Sequence, residues 1–202
     1  PRGFSFQNDE PLLMTYCEGG ETVADIVNSA SEEELADIIF TYGEERFARK
    51  IAHAIITARS KERILTTGAL VAAIHTGTPQ WYQQGKTHPA TKTFQALRIV
   101  VNDELDALRE GMSAALAALA PGGRLAIISF HSIEDRIVKN TLRDAAHTGL
   151  GVLAPKKPIV PSRAEILHNR RARSAKLRVF ERVAAASHAV ASGSARALFS
   201  YA

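Results

Sequence analysis

The feature that most constrains this chain is a change of pattern at Pro121-Gly122-Gly123. Upstream, roughly the first hundred residues carry apolar side chains at helical spacing and no strand signal. Downstream, Leu125-Ala126-Ile127-Ile128-Ser129-Phe130 is a short apolar run bounded by the glycine pair and a polar cluster. It reads as a strand buried on both faces, as in a parallel sheet. Ser132, with Asp135 three residues on, starts a helix carrying Ile133, Ile137, Val138 and Leu142. Lys157 to Val160 is a weak strand candidate. Ala175 to Val183 is a stronger one, with Leu177, Val179 and Glu181 alternating against Lys176 and Arg178. Helix, strand, helix, strand, strand is the closing portion of an open α/β sheet. The fold class expected is therefore α/β, with an all-helical unit ahead of the sheet.

The helical part divides at local signals. Arg2 to Gly20 is turn-rich and aromatic and reads as an ordered loop. Thr22 to Ala30 forms a short helix. Ser31 with Glu34 makes a capping box for a second, which Gly43 ends. A third places Phe47, Ile51, Ala54, Ile55 and Ala58 on one face, and Thr67 caps a fourth. Gly77 to Pro89 reads as a loop holding Trp81. One long amphipathic helix is expected from about Thr91 to Ala120. Ala184 to Ala202 is Ala/Ser-rich and reads as a frayed or helical tail.

Charge is uneven. Net charge is +4, but Pro155 to Arg182 carries nine Lys/Arg against two acids, leaving the rest net negative. Such a segment suits a phosphate backbone, though a solvated basic face fits equally well. Cys17 stands alone, which excludes an internal disulfide. No apolar run reaches the ~20 residues a bilayer span needs, so no membrane partner is expected. The seven His and one Cys show no zinc-ligand spacing. No metal is expected, and there is no GxGxxG or P-loop. Gly149-Leu150-Gly151, the nearest approach, follows no convincing strand.

Three places could carry chemistry. Ser129, His131, Ser132 and Asp135 cluster where a strand ends and a helix begins, the usual ligand position in open α/β sheets. Ser132 and Asp135 also suit a helix start, and Arg136 suits a phosphate or a carboxylate of its own domain. His88, Thr91, Gln95 and Arg98 lie at the start of the long helix, whose free N–H groups favour an anion. Arg171 and Arg173, with Lys176 beyond them, offer donors for a nucleic-acid backbone.

Gly122 through Lys139, containing Ser-Phe-His-Ser-Ile-Glu-Asp-Arg, closely resembles the signature of the bacterial MraW/RsmH family. Other stretches match in order: Arg2 to Phe6, Thr41 to Ala48, His88 to Arg98, Asn102 to Leu105, and Arg171 to Arg178. The resemblance covers about Pro1 to Val183. It implies N4-methylation of a cytidine in the decoding region of small-subunit ribosomal RNA, with S-adenosyl-L-methionine as methyl donor. The fold implied is a methyltransferase-type, Rossmann-like α/β domain with an inserted all-helical domain that helps bind RNA. On that basis residues 1–20 are a loop of the methyltransferase domain and 21–105 the insert. Residues 106–183 are the end of the sheet and 184–202 the tail.

The family holds its cofactor mainly through residues upstream of the Arg-Gly-Phe-Ser-Phe motif. The chain is therefore expected to be a C-terminal part of such an enzyme, inactive alone, with Phe4 and Ser5 beside the cofactor. The resemblance implies catalytic roles among Ser129, His131, Ser132 and Asp135. It implies RNA contacts from His88, Thr91, Gln95, Arg98, Arg136, Arg171, Arg173 and Lys176. Arg170 stands where the family usually has proline, Arg163 where an acid is usual, and Thr15 to Gly19 differs from most members. Expected partners are small-subunit ribosomal RNA and, as an open alternative, a second copy in a homodimer; the expected location is the cytoplasm. Two other readings stay open: a non-catalytic RNA-binding protein, and a different α/β enzyme using another cofactor.

Overall fold

The computed structural model describes residues 2–183, so the expected tail lies outside the described residues. The described residues fold as two compact units that divide between Gly111 and Met112.

The first unit is helical. Its elements are α1 (Val23–Ser29), α2 (Glu32–Gly43), α3 (Ala48–Arg59), α4 (Thr67–Thr76), α5 (Gln80–Gln83) and α6 (Ala90–Val101). Ser31 caps α2 as expected: its hydroxyl accepts the Glu34 N–H while the Glu34 carboxylate accepts the Ser31 N–H. The start of α4 is capped by Thr66, one residue before the expected Thr67. The helices bury Val27, Leu35, Ile39, Ile51, Ile55, Leu70, Ile74, Phe94 and Leu97 in one core, which Leu12 and Met14 of the N-terminal loop enter. That loop is tied down by backbone bonds from Leu12 to Leu65 and from Thr67 to Glu10.

The expected long helix is two. Asn102 ends α6, Asp103 adopts a left-handed φ of 49°, and α7 (Glu104–Ala118) begins after it. The Asn102 side chain explains the break. Its Oδ1 accepts the Tyr16 N–H, and its Nδ2 donates to the carbonyls of Met14 and Arg98. Asn and Asp tolerate this conformation better than most residues because their short polar side chains bond locally. The expected 77–89 loop contains α5 as a single helical turn.

The second unit holds β1 (Arg124–Ser129), α8 (Ser132–His147), β2 (Gly151–Leu153), α9 (Arg163–His168), a 3₁₀ turn at Arg170–Ser174, and β3 (Lys176–Arg182). The sheet has strand order β1-β3-β2 and both pairings are antiparallel. This corrects the expected parallel surroundings of β1: its partner among the described residues is β3, and its other edge carries none.

Register places Leu125, Ile127 and Ser129 on the face shared with Lys176, Arg178 and Phe180. That face packs against α8 through Ile133, Val138 and Leu142. The opposite face shows Ile128 and Val152 more than half exposed. β1 is therefore covered on one side, not both. The alternation expected for β3 is real, but the covered side is Arg178 and Phe180, while Leu177 and Val179 are half-buried. Lys157 to Val160 makes a single bridge, Ile159 to Leu177, not a strand.

β2 was missed in the sequence, and Gly151 shows why it forms. A Cβ there would meet the Glu181 carbonyl and sit 2.6 Å from the Phe180 ring. Only glycine lets β2 lie this close to β3. Gly151→Ala is expected to cost about 1–3 kcal/mol by overpacking, read as a lower urea midpoint at unchanged slope.

Candidate functional site

The end of β1 and the start of α8 form one continuous turn, Ser129 to Arg136. His131, not Ser132, is the N-cap of α8. Its Nδ1 accepts the Glu134 N–H at 3.3 Å, which leaves Nε2 as the ring's donor. The Glu134 carboxylate reaches back, taking the Phe130 N–H at 2.9 Å and the His131 N–H at 3.4 Å. Burial raises the Glu134 pKa, but the His131 and Phe130 bonds outweigh it and hold the carboxyl below its usual value. His131 Nε2 is buried and lies 3.2 Å from Glu134 Oε1, facing the carboxylate without a well-formed hydrogen bond.

Asp135 anchors the turn to the sheet. Its Oδ1 accepts from Arg178 Nε at 2.7 Å, and its Oδ2 from Arg178 Nη2 at 3.2 Å and Lys176 Nζ at 3.0 Å. Asp135 and Arg178 are each 7% exposed. Burial pushes the carboxyl up, but the guanidinium and ammonium together bring it below its ordinary value. Ser129 is 3% exposed and its Oγ has no hydrogen-bond partner. A buried orphan hydroxyl is costly unless something completes it. The turn therefore has a rigid frame, Glu134 and Asp135, and two buried polar atoms that lack a hydrogen bond, Ser129 Oγ and, beside the Glu134 carboxylate, His131 Nε2. Phe130 is half exposed beside them, and Ser132 and Arg136 are exposed.

The remaining expected site residues are dispersed. Phe4 stacks on Tyr16 at 5.3 Å, and Ser5 Oγ accepts the Gln7 N–H. Exposed His88 stacks on Phe6 at 4.5 Å and accepts the Ala90 N–H. Burial, then the neighbouring His75, lowers its pKa. Thr91 is half-buried in the first turn of α6. Gln95 donates to the Tyr42 carbonyl, and Arg98 holds Glu104 in a bidentate pair at 2.7 and 2.9 Å. Arg171 and Arg173 are exposed on the 3₁₀ turn, with no ion pair among the described residues. Lys176 is engaged by Asp135. Sequence reading missed Glu134 and Arg178. Glu134 had a signal, since it stands three residues after its cap. Arg178 had none, because an arginine in a strand reads as facing solvent.

The profile of the MraW methylase family matches residues 1–183. The chain belongs to this family. Among its relatives, a protein of Deinococcus radiodurans named ribosomal RNA small subunit methyltransferase H is 55% identical over 91% of this chain and 57% of its own length. Proteins of the same name from Rhodopseudomonas palustris and Synechococcus elongatus are 49% and 52% identical, over 93% and 90% of this chain and 60% of their own lengths. The chain thus spans between 57% and 60% of the length of these relatives. The MraW match extends over the described residues of both units. No helix among the described residues is long and apolar enough to cross a membrane.

Proposed function

We propose that this chain forms the acceptor side of a methyltransferase acting on N4 of a cytidine in the decoding region of small-subunit ribosomal RNA. Residues 21–105 are the RNA-binding insert and 106–183 the closing part of the Rossmann-like sheet. The reading places the enzyme in the cytoplasm. The observation that carries it is the pair of unsatisfied atoms, Ser129 Oγ and His131 Nε2, at the strand-tip turn of a family with this methylase name. The edge of β1 that is unpaired among the described residues and the exposed Ile128 on its outer face support a larger sheet than these three strands.

S-adenosyl-L-methionine supplies an electrophilic methyl group. The described residues do not fit it as a cradle: Phe4 is stacked on Tyr16 and Ser5 is bonded to Gln7. The chain's own residues act on the base. The cytosine amine is a weak nucleophile because its lone pair is conjugated with the ring. Once the turn opens enough to expose it, Ser129 Oγ accepts a hydrogen bond from the amine N–H, holding the lone pair out of conjugation, and the proton freed on transfer leaves to water. His131 donates from Nε2 to a ring acceptor. Glu134 and Asp135 hold both residues in place, which lowers the entropic cost of alignment. Extruding the base from its stack precedes the step. Arg171 and Arg173 position the RNA backbone. Gln95 and Arg98 contribute less, since their donors are already used within the fold.

The test is a chimera in which residues 1–183 replace the matching stretch of the Deinococcus radiodurans relative. Incubated with labelled donor and small-subunit RNA, it is expected to yield N4-methylcytidine on nucleoside analysis. A folded, donor-binding chimera that methylates nothing, yet binds RNA, would favour the non-catalytic reading.

A further inference from the structure

The helical unit carries an aromatic and basic cluster with no part in the strand-tip chemistry. Gly77 starts it: a Cβ there would sit 2.8 Å from the Lys50 carbonyl, so glycine lets the end of α4 press onto α3. The chain then turns through α5, which presents Trp81 and Tyr82 beside α3. The Arg46 guanidinium carbon lies 4.7 Å from the Trp81 ring centroid and 5.0 Å from those of Phe47 and Tyr82. Phe47 meets Trp81 and Tyr82 edge-on at 5.9 and 4.9 Å. Fully buried Glu45 locks the base of the cluster, accepting hydrogen bonds from the Tyr82 hydroxyl and the Phe47 N–H.

Despite this bracing, Trp81 is 61% exposed. Beside it runs a groove of about 570 Å³ lined by Phe40, Arg46, Phe47, Arg49, Lys50 and Asp37. Phe40 is 65% exposed. Arg46, Arg49 and Lys50 make no ion pair among the described residues, so the groove wall holds three cations against one acid. A rigid, exposed aromatic ring beside unneutralised cations is the arrangement that binds single-stranded nucleic acid: bases stack and phosphates meet the cations. A folded protein partner would need an apolar patch with little charge at its centre, which this groove lacks.

We propose that Trp81, braced by Arg46, stacks an unpaired base of the RNA substrate, with Phe40 as a second stacking surface and Arg49 and Lys50 on the flanking phosphates. This rests on the ribosomal RNA reading above and adds a single-stranded docking site on the helical unit.

Trp81 is the chain's only tryptophan, so its fluorescence reports the site directly. The chain is titrated with an end-labelled single-stranded RNA of about ten nucleotides, within the range such grooves accept, and with the matching duplex. Labelled-RNA anisotropy reads binding and Trp81 emission reads stacking. Single strands are expected to quench Trp81 and bind more tightly than duplex. Trp81→Ala should weaken binding by about 5- to 150-fold and Trp81→Phe by much less. Arg49→Ala with Lys50→Ala should keep the quench but reduce the salt dependence by one to two phosphates, a slope change of about 0.7 each. Circular dichroism confirms that each variant is folded. Binding that leaves Trp81 emission unchanged, or is unaffected by Trp81→Ala, overturns the stacking site while leaving the RNA reading standing. A folded chain that binds no RNA overturns both.

Discussion

Asp135→Ala is expected to lower unfolding free energy by about 3–5 kcal/mol. The reason is what remains behind. Arg178 is 7% exposed in the middle of β3, and its guanidinium makes two bonds to Asp135. Without the carboxylate it is a buried charge with its principal partner gone. Lys176, with a side chain 40% exposed, returns to water at little cost. Asp135→Ala combined with Arg178→Met should therefore recover most of the loss, because the pair is removed together. Urea titration of the two single variants and the double variant checks this.

The same pair predicts an acid sensitivity. The folded carboxyl of Asp135 lies below its ordinary value. It is then charged in both states above the usual aspartate range, where its stabilising contribution is complete. As pH falls below that range the unfolded chain takes up the proton first, and the contribution is lost down to the lowered folded value. Asp135→Asn should flatten the acid limb of stability against pH.

His131→Ala in the chimera is expected to slow methyl transfer by about 100-fold or more, within the range for a positioned proton donor or acceptor. A second consequence must be separated from the first. His131 caps α8, and losing a cap costs about 0.5–2 kcal/mol. Asn is among the best N-cap residues, so His131→Asn should restore stability while methyl transfer stays slow. Ser129→Ala should slow transfer without destabilising the fold, since the Ser129 hydroxyl has no partner to lose. If His131→Asn restored both stability and rate, His131 would be a cap and nothing more.

Much of the architecture was legible locally. The Ser31 capping box, the apolar run at β1 and the period of β3 each have a cause within a few residues. The failures have causes farther away. The break after Val101 is set by Asn102 reaching back to Met14 and Tyr16, although the Asn-Asp pair was a turn signal in plain view. The covered side of β3 is chosen by Asp135, which offsets the cost of burying Arg178; residue type alone pointed to the Leu177 side. β2 is three residues long and depends on the close approach at Gly151, which no periodicity records. The strand-tip cluster was legible as a set because it is contiguous. Its internal division was not: Asp135 and Glu134 form the frame, while Ser129 and His131 keep unsatisfied atoms. The Trp81 platform was hidden because Arg46 and Trp81 lie far apart in sequence and meet only through the packing of α4 on α3.

The most direct measurement of the central claim is photocrosslinking of the chimera to small-subunit RNA carrying a photoreactive cytidine analogue at the acceptor position. Digestion and mass spectrometry then locate the attachment. The account predicts adducts within Ser129 to Arg136, reduced by excess unlabelled RNA. Adducts confined to other segments, with none on this turn, would contradict it.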